Sequence, residues 1–309
     1  MERVLEMWDH AYLAYRGSRV TGEQLPSGGY VIQSVLTPKW SVGASQQCYY
    51  AVSGQTGIIA CSGSNDAFDW VSNFMGVKRE WPELGRGTAA TFHAGTLGMF
   101  RDSIKPWLDT LKLTPRLILV GHSAGGMAAQ AIALHLTYAR GRSGLELFVF
   151  GAPFIGNDVA ARLMADTRIP AQRVTMEGDS VATITMPYMI SGYAPWGVPS
   201  ASATPRSIVI FGDDASSRIG YRFETPSYAL PTPTSFALHL AYGLTLRNIV
   251  SAAKAQSCTY SALSYHADKA AQCVGSKLCV RSGLLTNTAT PVPCGTAGYC
   301  NQSNNCYYK

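Results

Sequence analysis

Apolar and polar positions change period several times along the chain. Residues 1–16 space apolar side chains as a helix does, between Glu2, Arg3, Glu6 and Asp9, which predicts an amphipathic helix. The stretch CYYAVSGQTGIIAC (48–61) alternates instead and breaks at Gly54-Gln55, the pattern of a hairpin with a two-residue turn that starts on glycine. That turn sets Ser53 against Thr56 and, counting outward, Cys48 directly against Cys61. Directly opposed strand residues bring their Cα atoms within disulfide range, so a Cys48–Cys61 bridge is expected. Short apolar runs at Arg116–Val120, Glu146–Phe150, Arg173–Met176 and Ser207–Phe211 predict further strands. Thr96–Leu111, Ala124–Ala139 and Asp158–Ala165 predict helices between them. Strands alternating with helices give an α/β class, a mainly parallel sheet flanked by helices. The stretch 187–235 is rich in Pro, Gly, Ser and Tyr and predicts long loops around the strand at 207–211.

Composition narrows the class. Of 309 residues, 47% are apolar and only 14% charged, enough for a substantial core and unlike a disordered chain. The net charge of +6 is scattered, with no basic run of the kind that binds nucleic acid, and favours anionic surfaces only weakly. No stretch approaches eighteen uninterrupted apolar residues, so no transmembrane segment is expected. The N-terminus lacks the basic start and apolar core of a signal peptide, so a leader replaced by Met1, or an export route without one, is expected. Six of the eight cysteines (Cys258, Cys273, Cys279, Cys294, Cys300, Cys306) follow Ser257. That crowding reads as disulfides and an oxidising, extracellular compartment. A single histidine there and no C-x-x-C pair argue against zinc. The expected organisation is a main domain over 1–257 and a cystine-rich extension over 258–309.

The chemistry starts at Gly121-His122-Ser123-Ala124-Gly125, which fits G-x-S-x-G between an apolar strand and an apolar helix. The pattern demands a sharp, strained turn with tiny neighbours; in return a hydroxyl stands at a helix N-terminus, where positive potential favours a developing oxyanion. A serine nucleophile needs a base. His239 follows the predicted sheet and precedes the cysteine-rich tail, which suits the order serine, acid, histidine, and its segment passes from loop into helix. His10 lies far upstream, His135 three helical turns past Ser123, and His266 in the tail; His122 is expected to leave the elbow in another direction, and His93, the other remaining base, precedes the serine and breaks that order. For the acid, Asp179 sits on a loop just past a β-like run, at the sheet edge where open α/β folds build sites. Asp213, after SIVIFG, is the runner-up.

These segments resemble the class 3 lipases, a family of the α/β-hydrolase superfamily. IIACSGSNDAFDWVSNF resembles that family's oxyanion strand and the segment after it, and FHAGTLGMF its His-x-Gly-x-Leu stretch. LILVGHSAGGMAA resembles the elbow, LFVFGAPFIGND the following strand and loop, RVTMEGDSVATI the acid segment and ALHLAYGL the histidine segment. The likeness keeps the family's order over roughly residues 45–250. It implies a catalytic triad of Ser123, Asp179 and His239. It also implies an oxyanion hole of the Ala124 N–H with Ser64. The segment after Ser64 is where the family carries a lid. Here Phe68, Val71 and Met75 share one helical stripe, with Trp70 and Phe74 beside it, which fits either a mobile lid or a helix packed permanently on the core. Ser62 stands where the family commonly has arginine, and the cysteine-rich tail has no counterpart in the family pattern.

The expected activity is that of a secreted serine ester hydrolase working through an acyl-enzyme on acylglycerols, with no metal or organic cofactor. Phospholipids (A1 cleavage), feruloyl esters and short soluble esters call for the same chemistry. The alternative of another class is a non-catalytic surface-binding protein on a hydrolase scaffold. The expected partner is an ester substrate, met at a lipid–water interface if the lid moves.

Overall fold

The predicted hairpin opens a large sheet. In the computed structural model, which describes residues 1–15, 19–37, 47–63, 77–84, 89–183, 194, 196, 206–212, 219–224, 226, 229, 232–255, 299–300 and 306–308, strand β1 (Val31–Leu36) pairs antiparallel with β2 (Cys48–Ser53). Strand β2 turns into β3 (Thr56–Cys61) with Ser53 opposite Thr56 and Cys48 opposite Cys61, the register set by the turn. The two cysteines lie 4.1 Å apart at Cα and are joined by a disulfide. A short separate pair, β4 (Lys78–Glu80) and β5 (Thr91–His93), follows. Then β6 (Arg116–His122), β7 (Leu145–Phe150), β8 (Ala171–Met176) and β9 (Arg206–Phe211) continue the main sheet in parallel from β3. Beyond β9 the direction reverses into β10 (Ile219–Arg222), which pairs with β12 (Cys306–Tyr308), itself paired with β11 (Tyr299–Cys300). The cysteine-rich segment thus lengthens the main sheet at its far edge.

Strand alternation separates two cores. Ile59, Leu117, Leu119, Leu147 and Val149 face one side; Ile58, Ile118, Val120, Phe148 and Phe150 face the other. On the first side lie α2 (Ala94–Met99), α3 (Lys105–Thr110), α4 (Ala124–Leu134) and α5 (Asp158–Asp166). Helices α2 and α3 are the single predicted helix, divided by a widened π-helical turn over Phe100–Ile104. Pro106 has no N–H to return to the carbonyl four residues back, which fits the change of winding there. On the second side, α1 (Glu2–Leu13) buries Val4, Met7, Trp8 and Ala11 beside α8 (Tyr242–Ala255). The one-turn α6 (Ser180–Thr183) follows β8, and α7 (Pro233–Leu240) precedes α8.

Strands β1, at one edge of the sheet, and β10, between β9 and β12, were not predicted. Strand β10 is four residues long with Gly220 inside it, and β1 carries Gln33 and Ser34 at its centre, so neither offers a clear apolar alternation. As an edge strand, β1 tolerates such a sequence because only one side of it is paired.

Candidate active site

The elbow is built by close approach of backbone to backbone. Strand β6 ends at His122 and α4 starts at Ala124, which leaves Ser123 alone to make the turn at φ +56° and ψ −125°. A side chain at Gly121 would lie 2.1 Å from the Gly125 carbonyl oxygen, and one at Gly125 would lie 2.2 Å from that of Cys61. Both positions therefore require glycine. The Ser123 N–H donates to the Phe150 carbonyl in β7 at 2.9 Å, which ties the strained residue to the sheet. Ala124 is the first residue of α4, so its N–H has no acceptor within the helix.

Asp179 follows β8, its N–H donating to the Met176 carbonyl at 3.0 Å. Its carboxylate is fully buried and accepts four hydrogen bonds. Oδ1 takes the N–H groups of Val181 (2.9 Å) and Ala182 (3.2 Å). Oδ2 takes His239 Nδ1–H (2.9 Å) and the Tyr242 hydroxyl (2.7 Å). An ionised carboxylate only accepts, so it fixes the His239 proton on Nδ1 and leaves Nε2 with its lone pair. His239 Nε2 and Ser123 Oγ are both buried and, among the described residues, neither has a hydrogen-bond partner. The site thus presents an unengaged basic nitrogen and an unengaged hydroxyl. His239 stands in the last turn of α7 rather than at the entry to a helix; Ala241 separates α7 from α8. A capping box, Thr232 with Ser235, and Pro233 at the first position start α7.

Four residues of this region had no role in the sequence reading. Tyr242 lies three residues after His239 and binds the carboxylate directly. Burial, and next the Asp179 charge, hold its hydroxyl proton well above the usual phenol range. Arg173 is fully buried; its Nη2 donates to the carbonyls of Ala152 (2.8 Å) and Ala182 (3.0 Å), and its guanidinium lies 4.3 Å from the Phe154 ring centre. Burial lowers its pKa to about 10, opposed by Tyr242 and Asp179, so it remains charged at neutral pH. Arg173 thereby pins α6, the turn whose amides hold Asp179. His122 does not leave the site: its ring stacks on that of His239 at 4.5 Å, and Tyr15 binds its Nδ1. The His239-to-Tyr242 spacing of three was the one available sequence signal, since it places both side chains near one another if the chain is helical.

The remaining candidates are placed as follows. Gly63, the last described residue before Ser64, lies against the nucleophile: a methyl there would sit 2.7 Å from Ser123 Cβ. The Ser62 hydroxyl accepts from the Gln47 N–H at 3.0 Å and is buried. His93 caps α2, and His10, in α1, bonds the Tyr49 hydroxyl, so neither is the partner of Asp179. Ser64, Phe68, Trp70, Val71, Phe74, Met75 and Asp213 lie outside the described residues. No group of metal-binding side chains and no helix long and apolar enough to cross a membrane occurs among the described residues.

Residues 58–189, from β3 past the Asp179 turn, match the family described as lipase (class 3). This segment is what the chain shares with the class 3 lipases. It is similar to the secreted mono- and diacylglycerol lipase 1 of Fusarium solani, 27% identical over 172 residues, 53% of this chain and 48% of that protein. The match therefore spans about half the length of that relative. Two solved structures share the fold. Lipase II from Rhizopus niveus superposes with a TM-score of 0.56 at 20% identity, covering 72% of this chain and 87% of that one. The triacylglyceride lipase of Rhizomucor miehei superposes with a TM-score of 0.58 at 20% identity, covering 78% and 94%. The chain accordingly has the α/β-hydrolase fold, with a mostly parallel sheet between layers of helices.

Proposed function

We propose that this chain is a secreted serine hydrolase that cleaves carboxylic esters of lipids, with acylglycerols as its substrates. The observation that carries this reading is the buried Asp179–His239 hydrogen bond, which leaves Nε2 without a partner, as is the hydroxyl of the strained Ser123. Ser123 Oγ attacks the ester carbonyl carbon while His239 Nε2 takes its proton. Asp179 holds the tautomer and stabilises the imidazolium. The oxyanion is met by the Ala124 N–H at the start of α4, together with Ser64. The tetrahedral species collapses as His239 returns the proton to the departing alcohol, leaving Ser123 acylated. Water, deprotonated by the same nitrogen, then releases the fatty acid. Each oxyanion donor in such a site contributes about 3 kcal/mol to the rate.

The acylglycerol assignment is supported by the family match and by the named activity of the Fusarium relative. Secretion is supported by the Cys48–Cys61 disulfide and by that relative's description as secreted. Residues 1–257 are read as the hydrolase domain and 258–309 as a disulfide-linked extension that braces its sheet edge, supported by the pairing of β12 with β10. Phe68, Trp70, Val71, Phe74 and Met75 are assigned to a lid.

The test is labelling of the full chain by a serine-directed phosphonate, combined with hydrolysis of mono-, di- and triacylglycerols, phosphatidylcholine, a feruloyl ester and short soluble esters. Substrates are taken below and above their aggregation concentrations. Labelling that is lost in Ser123→Ala and His239→Ala, with acylglycerols turned over fastest, supports the proposal. A rate jump at the interface supports the lid. A feruloyl ester or phospholipid turned over faster reassigns the substrate, and absence of both labelling and turnover overturns the enzyme.

A further inference from the structure

The geometry points to His122 as a positioning residue for the proposed base, His239, locked into one tautomer by Tyr15. This rests on the serine-hydrolase reading of the site and extends it by two residues. His122 Nε2 lies 3.0 Å from the backbone carbonyl oxygen of His239. A carbonyl only accepts, so the His122 proton is on Nε2 and Nδ1 is bare. Nδ1 then accepts the Tyr15 hydroxyl hydrogen at 2.6 Å. Tyr15 is itself engaged by a hydrogen bond with the Gly63 backbone. One chain of hydrogen bonds therefore runs from Gly63, at the end of β3, through Tyr15 and His122 to the backbone of His239.

Each link answers a need of the fold. The His239 carbonyl is among the last of α7, and terminal carbonyls lack partners within the helix. His122 supplies one from the strand that carries the nucleophile, so the base is referenced to the elbow through one side chain. The two imidazole rings stack at 4.5 Å with 30° between their planes, which restrains the tilt of His239 about its own Cβ. Trp8 closes the His122 ring edge-on at 5.1 Å and Tyr242 at 5.5 Å. Among the described residues the titratable groups around His122 are thus Tyr15, His239 and Tyr242, with Asp179 beyond His239, and no carboxylate bonds to it. His122 stays neutral in this setting, its pKa held well below the usual range by burial and then by His239. A neutral ring face is what the imidazolium of His239 requires beside it during acyl transfer.

Three variants of the full chain test this: His122→Leu, His122→Gln and Tyr15→Phe. Phosphonate titration counts working sites, and a soluble ester gives kcat, KM and the acid limb of kcat/KM per site. His122→Leu is expected to lower kcat per site about tenfold or more, the scale on which small misplacements of a reacting group act, with KM nearly unchanged. His122→Gln keeps a donor near Nε2 and is expected to recover most of that loss. Tyr15→Phe frees Nδ1 to take a proton, so the acid limb moves to higher pH. An unchanged kcat per site and acid limb in His122→Leu, with only the melting temperature lowered, overturns the inference. Should His122→Leu not fold, an unmoved acid limb in Tyr15→Phe overturns it instead. Failure of the unsubstituted chain to label is a distinct outcome, because it removes the hydrolase reading itself.

Discussion

The Tyr242 hydroxyl donates to Asp179 Oδ2 at 2.7 Å, the same oxygen that accepts His239 Nδ1–H at 2.9 Å. The tyrosine oxygen in turn accepts the Met176 N–H at 2.8 Å. Asp179 is therefore referenced to the end of β8 and to α8 at once. Because the phenol holds its proton far above neutral pH, it remains a donor across the working range.

Removing that donor tests its part in the chemistry. Tyr242→Phe leaves the Met176 N–H buried without its partner, which costs about 1–3 kcal/mol of stability. It also frees Oδ2 to shift relative to the imidazole. The expected outcome is a kcat lower by about tenfold, the scale of a small misplacement, with KM little changed. Steady-state kinetics on a soluble ester, together with urea unfolding of the same sample, separates the two effects.

Asp179→Asn should be far more severe. The Asn oxygen would stay with the Val181 and Ala182 amides, since an NH2 group there would face two donors. Its nitrogen would then face His239 Nδ1 and force the imidazole proton to Nε2, where it blocks acceptance from Ser123. A fall in kcat of about 10⁴-fold is expected at nearly unchanged folding. Nitrogen-15 spectra of the histidines would show the tautomer reversed. A small loss of turnover would assign the acid elsewhere.

The parts of this protein governed by short-range rules were legible in the sequence. The hairpin register followed from where glycine permits a turn, and the elbow from the need for two glycines around Ser123. Sheet-edge placement and chain order singled out Asp179 and His239 as the proposed acid and base, and the structure joins the two by a hydrogen bond. What escaped notice depends on distant contacts. His122 was expected to point elsewhere, because nothing local reveals that α7 ends with a carbonyl above it. Tyr15 and Arg173 act only because α1 and α6 dock where they do. Strand β10 was hidden by its brevity and by Gly220.

The Cys48–Cys61 bridge closes a loop of sequence separation 13 between two fully buried residues. Linking the unfolded chain at that span stabilises the native state by about 3 kcal/mol in the chain-entropy account. The double variant Cys48→Ala/Cys61→Ala is expected to lose about that much in urea unfolding, with an unchanged dependence on urea concentration. Its kcat per titrated site should match that of the parent, since both sulfurs face the core cluster rather than the acid and base.

Acid should destabilise the protein through its buried histidines. His10 is fully buried between Tyr49 and Ser27, and burial lowers its pKa to about 4 from an ordinary 6.5. Between those values the unfolded chain carries a proton on His10 that the folded chain does not. Stability is therefore fully present above about pH 6.5 and falls with pH until about pH 4, where the folded state also takes the proton. The difference of about 2.5 units corresponds to roughly 3 kcal/mol for this residue. His122 acts with the same sign, since its pKa is likewise lowered by burial. Urea midpoints measured from pH 7.5 to pH 4 should fall steadily. His10→Asn keeps a short polar side chain opposite Tyr49 without the titrating ring, and should flatten that slope in part, with His122 and His135, both lowered by burial, contributing to the remainder. A slope that His10→Asn leaves unaltered would show that acid acts through other groups.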